Sequence, residues 1–153
     1  QPLTGAALLV AGGLNLVRLA RWQGRQSFSE PLVWSLHLGF LWLPLGLLAL
    51  GLGVVAPQVL PPTAGLHALT AGAIGGMTLA VMTRATLGHS GRDLKADGWT
   101  TVIYLAIAAA AALRVVASLL PDLYLPLLTA SGGAWTLAFG LFVIVYGRLH
   151  LSR

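Results

Sequence analysis

Five apolar runs, each long enough to cross a lipid bilayer as a helix, dominate this chain: about residues 3–19, 32–55, 63–87, 99–120 and 125–146. A spanning helix needs roughly 17–25 mostly apolar residues, because in hydrocarbon every backbone polar group must be bonded internally. Transmembrane β-strands would instead read as short alternating segments between turns. The expected fold is therefore all-α, a polytopic transmembrane helical bundle of about five spans forming a single unit over residues 1–153. Composition agrees: 57% of residues are hydrophobic and only 8% charged, against about 25% charged in soluble domains. That balance excludes an ordinary soluble enzyme and, equally, a disordered segment. Cysteine is absent, which removes disulfides, thiol chemistry, Cys-ligated zinc and iron–sulfur clusters. The first residue is Gln1 rather than Met, which reads as processing or as a piece of a longer polypeptide.

Proline and glycine punctuate the runs. Ala56-Pro57 and Pro61-Pro62 bracket the connector between spans two and three, and Pro121 and Pro126 bracket the last one, since proline cannot continue a helix interior cheaply. Span three ends in Leu87-Gly88-His89-Ser90-Gly91, whose glycines suit a left-handed backbone, and Asp97-Gly98 turns the chain into span four. Apart from Arg114, the basic residues lie in alternate connectors or at their edges: Arg18, Arg21 and Arg25, then Arg92 and Lys95 with Arg84 just inside the span before them, then Arg148 and Arg153 at the carboxyl end. By the positive-inside rule the amino end is outside and the carboxyl end cytoplasmic. Trp22, Trp34, Trp99 and Tyr146 gather near the same inner boundary, as interfacial aromatics do. The net charge of +5 is thus topological. Nucleic acid is not an expected partner, because the arginines are dispersed and no recognition motif accompanies them.

Polar groups at membrane depth carry the functional information. His67, one turn into span three, and Arg114, about 9 Å below the outer end of span four, fall at similar depth in antiparallel helices. His37 lies about 7 Å in from the inner boundary, near the level expected for His89 and Arg84. His67 reads either as a helix-end imidazole satisfied by backbone or water, or as a metal or haem ligand. Arg114 reads either as a snorkelling cation or as the partner of an anionic cofactor group such as a haem propionate. For His89 a cap at the helix carboxyl terminus is the plain alternative to ligation, and for His37 an interhelical hydrogen bond. Asn15 reads as an interhelical hydrogen bonder, Met77 and Met82 as packing or lipid-facing residues, and His150 carries no assignment. Along span three, His67, Thr70, Ala71, Ile74, Thr78, Val81, Met82, Ala85 and His89 share one face, while Gly72 and Gly76 form a small-xxx-small pair for close helix approach. Span three would separate His67 and His89 by about 33 Å, too far to share one metal ion. Acidic residues fall only in or beside connectors (Glu30, Asp93, Asp97, Asp122), so no carboxylate proton relay crosses the bilayer. No catalytic residue can be assigned.

The run Leu66-His67-Ala68-Leu69-Thr70-Ala71-Gly72-Ala73-Ile74-Gly75-Gly76-Met77-Thr78-Leu79-Ala80-Val81-Met82-Thr83-Arg84 through Gly88-His89-Ser90-Gly91-Arg92, with Leu36-His37-Leu38-Gly39-Phe40-Leu41-Trp42 before it, resembles the NnrS family. The likeness covers most of residues 32–115; the first and last spans match mainly in hydropathy. It implies a multi-pass protein of the bacterial inner membrane, carrying haem of the b type and copper, and acting in nitric oxide (nitrosative) stress response or denitrification. His37, His67 and His89 fall on the family's histidine positions, and Arg84 and Arg92 on its Met-Thr-Arg and His-Ser-Gly-Arg elements. Members look like roughly twelve-span proteins, so this chain reads as a carboxyl-terminal five-span portion. The combined expectation has metal at His37, His67 and His89, with Arg114, Arg84 and Arg92 in cofactor binding. Expected partners are the lipid bilayer, further transmembrane helices or a homo-oligomer, and nitric oxide as a ligand. Three other readings stand beside it: a membrane electron-transfer subunit, a transporter fragment, and a cofactor-free assembly subunit.

Overall fold

The computed structural model describes residues 2–22, 24 and 28–151, with the side chains of His150 and Leu151 left aside; Arg25 and Arg153, used above for orientation, lie outside the described residues. The described chain forms α1 (Pro2–Ala20), α2 (Pro31–Val55), α3 (Pro62–His67), a π-helical segment (Ala68–Ile74), α4 (Gly75–His89), α5 (Gly98–Ala117), a 3-10 turn (Pro121–Leu123) and α6 (Tyr124–Leu151). No strand occurs among the described residues. Taking α3, the π segment and α4 as one span, five helices are long and apolar enough to cross a membrane. Large apolar side chains cover the outside, from Leu3 on α1 to Val143 on α6, the reverse of a soluble protein's surface.

Capping explains where the helices begin and end. Glu30 caps α2 by accepting from the Leu32 N–H (3.2 Å) and also accepts from the Ala96 N–H (3.1 Å), tying two connectors together at one end of the bundle. Asp97 caps α5: its Oδ1 accepts from the Thr100 N–H at 2.8 Å, replacing a partner the first helical turn lacks. After α4 the Arg92 N–H reaches the Leu87 carbonyl (3.1 Å) while Gly91 takes φ 68°, the left-handed stop expected of a glycine there. Gly88, by contrast, remains helical. The last connector lies earlier in the chain than proline placement suggested. Helix α5 ends at Ala117, and Pro126 sits in the first turn of α6, where a missing N–H costs nothing.

Packing depends on close helix approach. A Cβ added at Gly72 would lie 2.4 Å from Cγ of Trp42, and one at Gly76 would lie 3.4 Å from the Cα of Gly39. The small-residue pair therefore faces α2, as its spacing predicts. Between lipid-facing helices, association rests on such van der Waals contact because burial from lipid brings no hydrophobic gain. A second seam joins α4, α5 and α6 around Leu79, Ile103, Tyr104, Ala138 and Tyr146. Tyr146 is 2% exposed, so it belongs to this core and is not an interfacial anchor. Its hydroxyl donates to Thr100 (2.6 Å), which in turn donates to Asp97 Oδ1 (2.7 Å).

Candidate functional site

Span three is not a uniform α-helix. Directly after His67 the backbone passes into seven π-helical residues, and the Gly75 N–H bonds back to the Thr70 carbonyl, five residues earlier. The Thr70 hydroxyl donates to the Leu66 carbonyl at 2.8 Å, supplying a side-chain partner where the backbone pattern changes. Short π segments inside α-helices are frequent at functional sites. The sequence offered no cue for this one; the 100°-per-residue reading assumed none.

His67 and Arg114 meet, as their depths predicted. A Cβ at Gly75 would lie 3.4 Å from Cδ1 of Ile107 on α5; moving back along one helix and forward along its antiparallel neighbour sets His67 level with Arg114. The guanidinium acts electrostatically on the imidazole. Both side chains are half-buried, and Nη1 of Arg114 is enclosed with no hydrogen-bond partner among the described residues. His67 lines an open cleft of about 380 Å³ with Thr63, Ala117, Ser118, Pro121 and Tyr124. The cleft thus combines a ring nitrogen donor with several hydroxyls, and Arg114 lies behind it, close enough to act on the imidazole. Thr63, Ser118 and Tyr124 were not foreseen, because each lies at a helix end whose neighbours only the fold reveals.

His37 occupies a second, separate site. Its Nδ1 lies 3.0 Å from the Val33 carbonyl; a carbonyl only accepts, so Nδ1 carries the hydrogen and Nε2 keeps its lone pair. Nε2 is buried and unpartnered among the described residues. Gly24 closes over the ring edge so tightly that a Cβ there would sit 2.8 Å from Cδ2 and 3.3 Å from Nε2. Trp22 packs edge-on to the imidazole (5.6 Å) and against Phe40 (4.5 Å), and the Arg18 guanidinium lies 5.8 and 5.7 Å from those two rings.

The remaining predicted residues do not join either site. The α2–span-three register sets Gly39 against the Met77 backbone and Gly46 against that of Leu69. His37 is therefore level with about Leu79, and His89 lies about ten residues, or about 15 Å, further along the axis. This corrects the expectation of a common level: the depth estimate counted each histidine from its own helix end, and α4 runs past the boundary assumed for α2. His89 is exposed at the last residue of α4. Arg84 and Arg92 are exposed toward that same end, about 25 Å or more from His67 along the span. Arg92 lines a cleft of about 670 Å³ with Asp93, Lys95, Asp97 and Tyr146. The stripe from Thr70 through Ile74, Val81, Met82 and Ala85 to His89 is an outward face of the bundle. Met77 packs on Gly39, and the Asn15 amide donates within its own helix to Ala11 (2.9 Å), not across helices. Among the described residues no three His, Asp or Glu side chains converge as a metal-holding group.

Neither the curated proteins nor the solved structures contain a match to this chain. The sequence profile described as NnrS protein matches residues 1–153, including the first and last spans where hydropathy alone had suggested likeness. With five membrane-crossing helices and that match over its whole length, the chain is a multi-pass membrane protein belonging to the NnrS family.

Proposed function

We propose that this protein is a haem-bearing component of the bacterial inner membrane acting in nitric oxide stress response or denitrification, in which His67 would ligate the haem iron and Arg114 would balance a haem carboxylate. The observation that carries the proposal is the Arg114 Nη1 atom, enclosed and unpartnered beside a half-buried imidazole on an open cleft. A cation at membrane depth costs about 2.5–3.5 kcal/mol on insertion scales and about 10–17 kcal/mol on an isolated helix, so it is kept where it meets an anion or a water-filled space. The donor set fits haem: one imidazole suits iron, and a guanidinium suits a carboxylate in bidentate fashion. Bound there, haem supplies a redox-active iron with affinity for nitric oxide. The chain's own residues position and neutralise. Family membership in NnrS supports the nitric oxide setting.

Copper draws on His37. Its tautomer is fixed by the Val33 carbonyl, which leaves Nε2 as a ready donor, the arrangement by which an outer partner orients a ligating imidazole. One imidazole does not hold copper alone, and no group of three His, Asp or Glu gathers there among the described residues; copper at His37 would require donors from further transmembrane helices. Measured haem and copper per purified chain test both assignments. His67→Ala is expected to lose haem and keep copper, and His37→Ala the reverse. Full haem content in His67→Ala overturns the first assignment, and unchanged copper in His37→Ala the second.

A further inference from the structure

On the face of α2 opposite His37, a small, partly open cavity lies between α2, the π segment and α5. It has a volume of about 10 Å³ and is lined by Ser35, Gly39, Trp42, Gly72, Tyr104 and neighbouring apolar residues. About 10–15 Å³ of such space holds one water molecule, provided polar partners are present. Two are. Ser35 is 4% exposed and its hydroxyl has no hydrogen-bond partner among the described residues. On α2 it could have bonded the carbonyl one turn back, as Thr83 does on α4, but it does not.

The second partner is the Tyr104 hydroxyl, 1% exposed as a residue. The Thr83 hydroxyl gives its hydrogen to the Leu79 carbonyl (2.8 Å), so Tyr104 must donate to Thr83 and keep its oxygen lone pairs free. Ser35 Oγ is near enough to bear on that hydroxyl, yet it makes no hydrogen bond of sound geometry with any described residue. Two buried hydroxyls on the wall of one cavity, with no sound bond between them, are a setting in which a water molecule bridges.

We infer that this chamber is a binding site for a single water molecule, which accepts from Ser35 and donates to Tyr104. The water makes Ser35 the first link of a buried hydroxyl chain, Ser35–water–Tyr104–Thr83, that ties α2 to α5 and α4. Alongside the Tyr146–Thr100 bond between α6 and α5, it fixes the rotation of α2 against α5 beside the π segment.

The test reads a sign. If the hydroxyl of Ser35 were simply stranded, removing it would relieve a desolvation penalty, and Ser35→Ala would leave the thermal midpoint of the purified protein in detergent unchanged or raised. With a bridging water, Ser35→Ala lowers the midpoint by about 2–4 °C, the shift of about 1 kcal/mol in a chain of this size. The double variant Ser35→Ala/Tyr104→Phe then falls by less than the two single shifts added, because both report one bridge. A neutral or stabilising Ser35→Ala, or additive shifts, overturns the inference. A direct Ser35–Tyr104 bond would also couple, so a structure determined at about 2 Å resolution separates the two. An isolated density peak within hydrogen-bonding distance of both oxygens supports the site; the oxygens bonded to each other with no peak overturn it.

Discussion

Gly65 and Gly140 offer a matched pair in which one substitution should act in opposite directions. At Gly65 an added Cβ would lie 2.4 Å from the backbone N and 2.6 Å from Cα of Leu50. Ordinary Cβ contacts start near 3.4 Å, so Gly65→Ala forces α3 and α2 apart by about 1 Å. Both obstructing atoms are backbone, and no rotamer change relieves them. Overpacking of this kind costs about 1–3 kcal/mol, offset by about 0.5–1 kcal/mol from replacing glycine inside a helix. With two backbone atoms in the way, the upper half of that cost range applies, and the net loss of about 1–2.5 kcal/mol lowers the midpoint by about 2–10 °C, at about 2–4 °C per kcal/mol. At Gly140, within α6, nothing lies within 4 Å of an added Cβ. Only the propensity gain remains there, and Gly140→Ala raises the midpoint by about 1–4 °C. Circular dichroism at the helical band during thermal ramps of the purified variants measures both. Equal shifts, or a Gly65→Ala variant as stable as the parent, would refute the account of close helix approach.

Other substitutions probe individual parts. Asp97→Ala removes the α5 cap and the anchor of the Thr100–Tyr146 chain, and a thermal ramp should show a loss of about 1–2 kcal/mol. An unaltered midpoint would mean the cap contributes nothing. Gly91→Ala places a side chain at φ 68° with open space around it, so its cost of about 1–2 kcal/mol is conformational alone; Gly91→Asn should recover part of it, since Asn tolerates that region. Arg114→Met removes a half-buried guanidinium whose Nη1 has no hydrogen-bond partner among the described residues. The metal-free protein should gain thermal stability while haem retained through purification falls; no change in either would detach Arg114 from the site.

Much of the architecture was legible because membrane crossing constrains sequence so tightly. The five spans, the Gly72–Gly76 packing face and the left-handed stop at Gly91 each follow from one local rule that tertiary context does not override. Antiparallel depth also brought His67 and Arg114 together correctly. What failed was register beyond a helix end. His37 and His89 parted because α4 continues to His89, past the level at which α2 begins its polar contacts. The π segment was invisible because it arises from backbone accommodation among Thr70, Gly72 and the Trp42 ring, which belong to different helices. Ser35, Thr83 and Tyr104 escaped notice for a related reason. Single hydroxyls in apolar helices commonly bond their own backbone, and only the packed bundle shows which ones face each other.

The claim that most of the functional account depends on is that imidazoles inside this bundle hold a redox-active metal. An oxidised and a dithionite-reduced absorption spectrum of the detergent-purified protein, recorded before and after addition of nitric oxide, tests it directly. The account predicts a Soret band in near-stoichiometric amount that shifts on reduction and again with nitric oxide. A colourless protein, made in cells supplied with iron and copper and free of both by metal analysis, would contradict it.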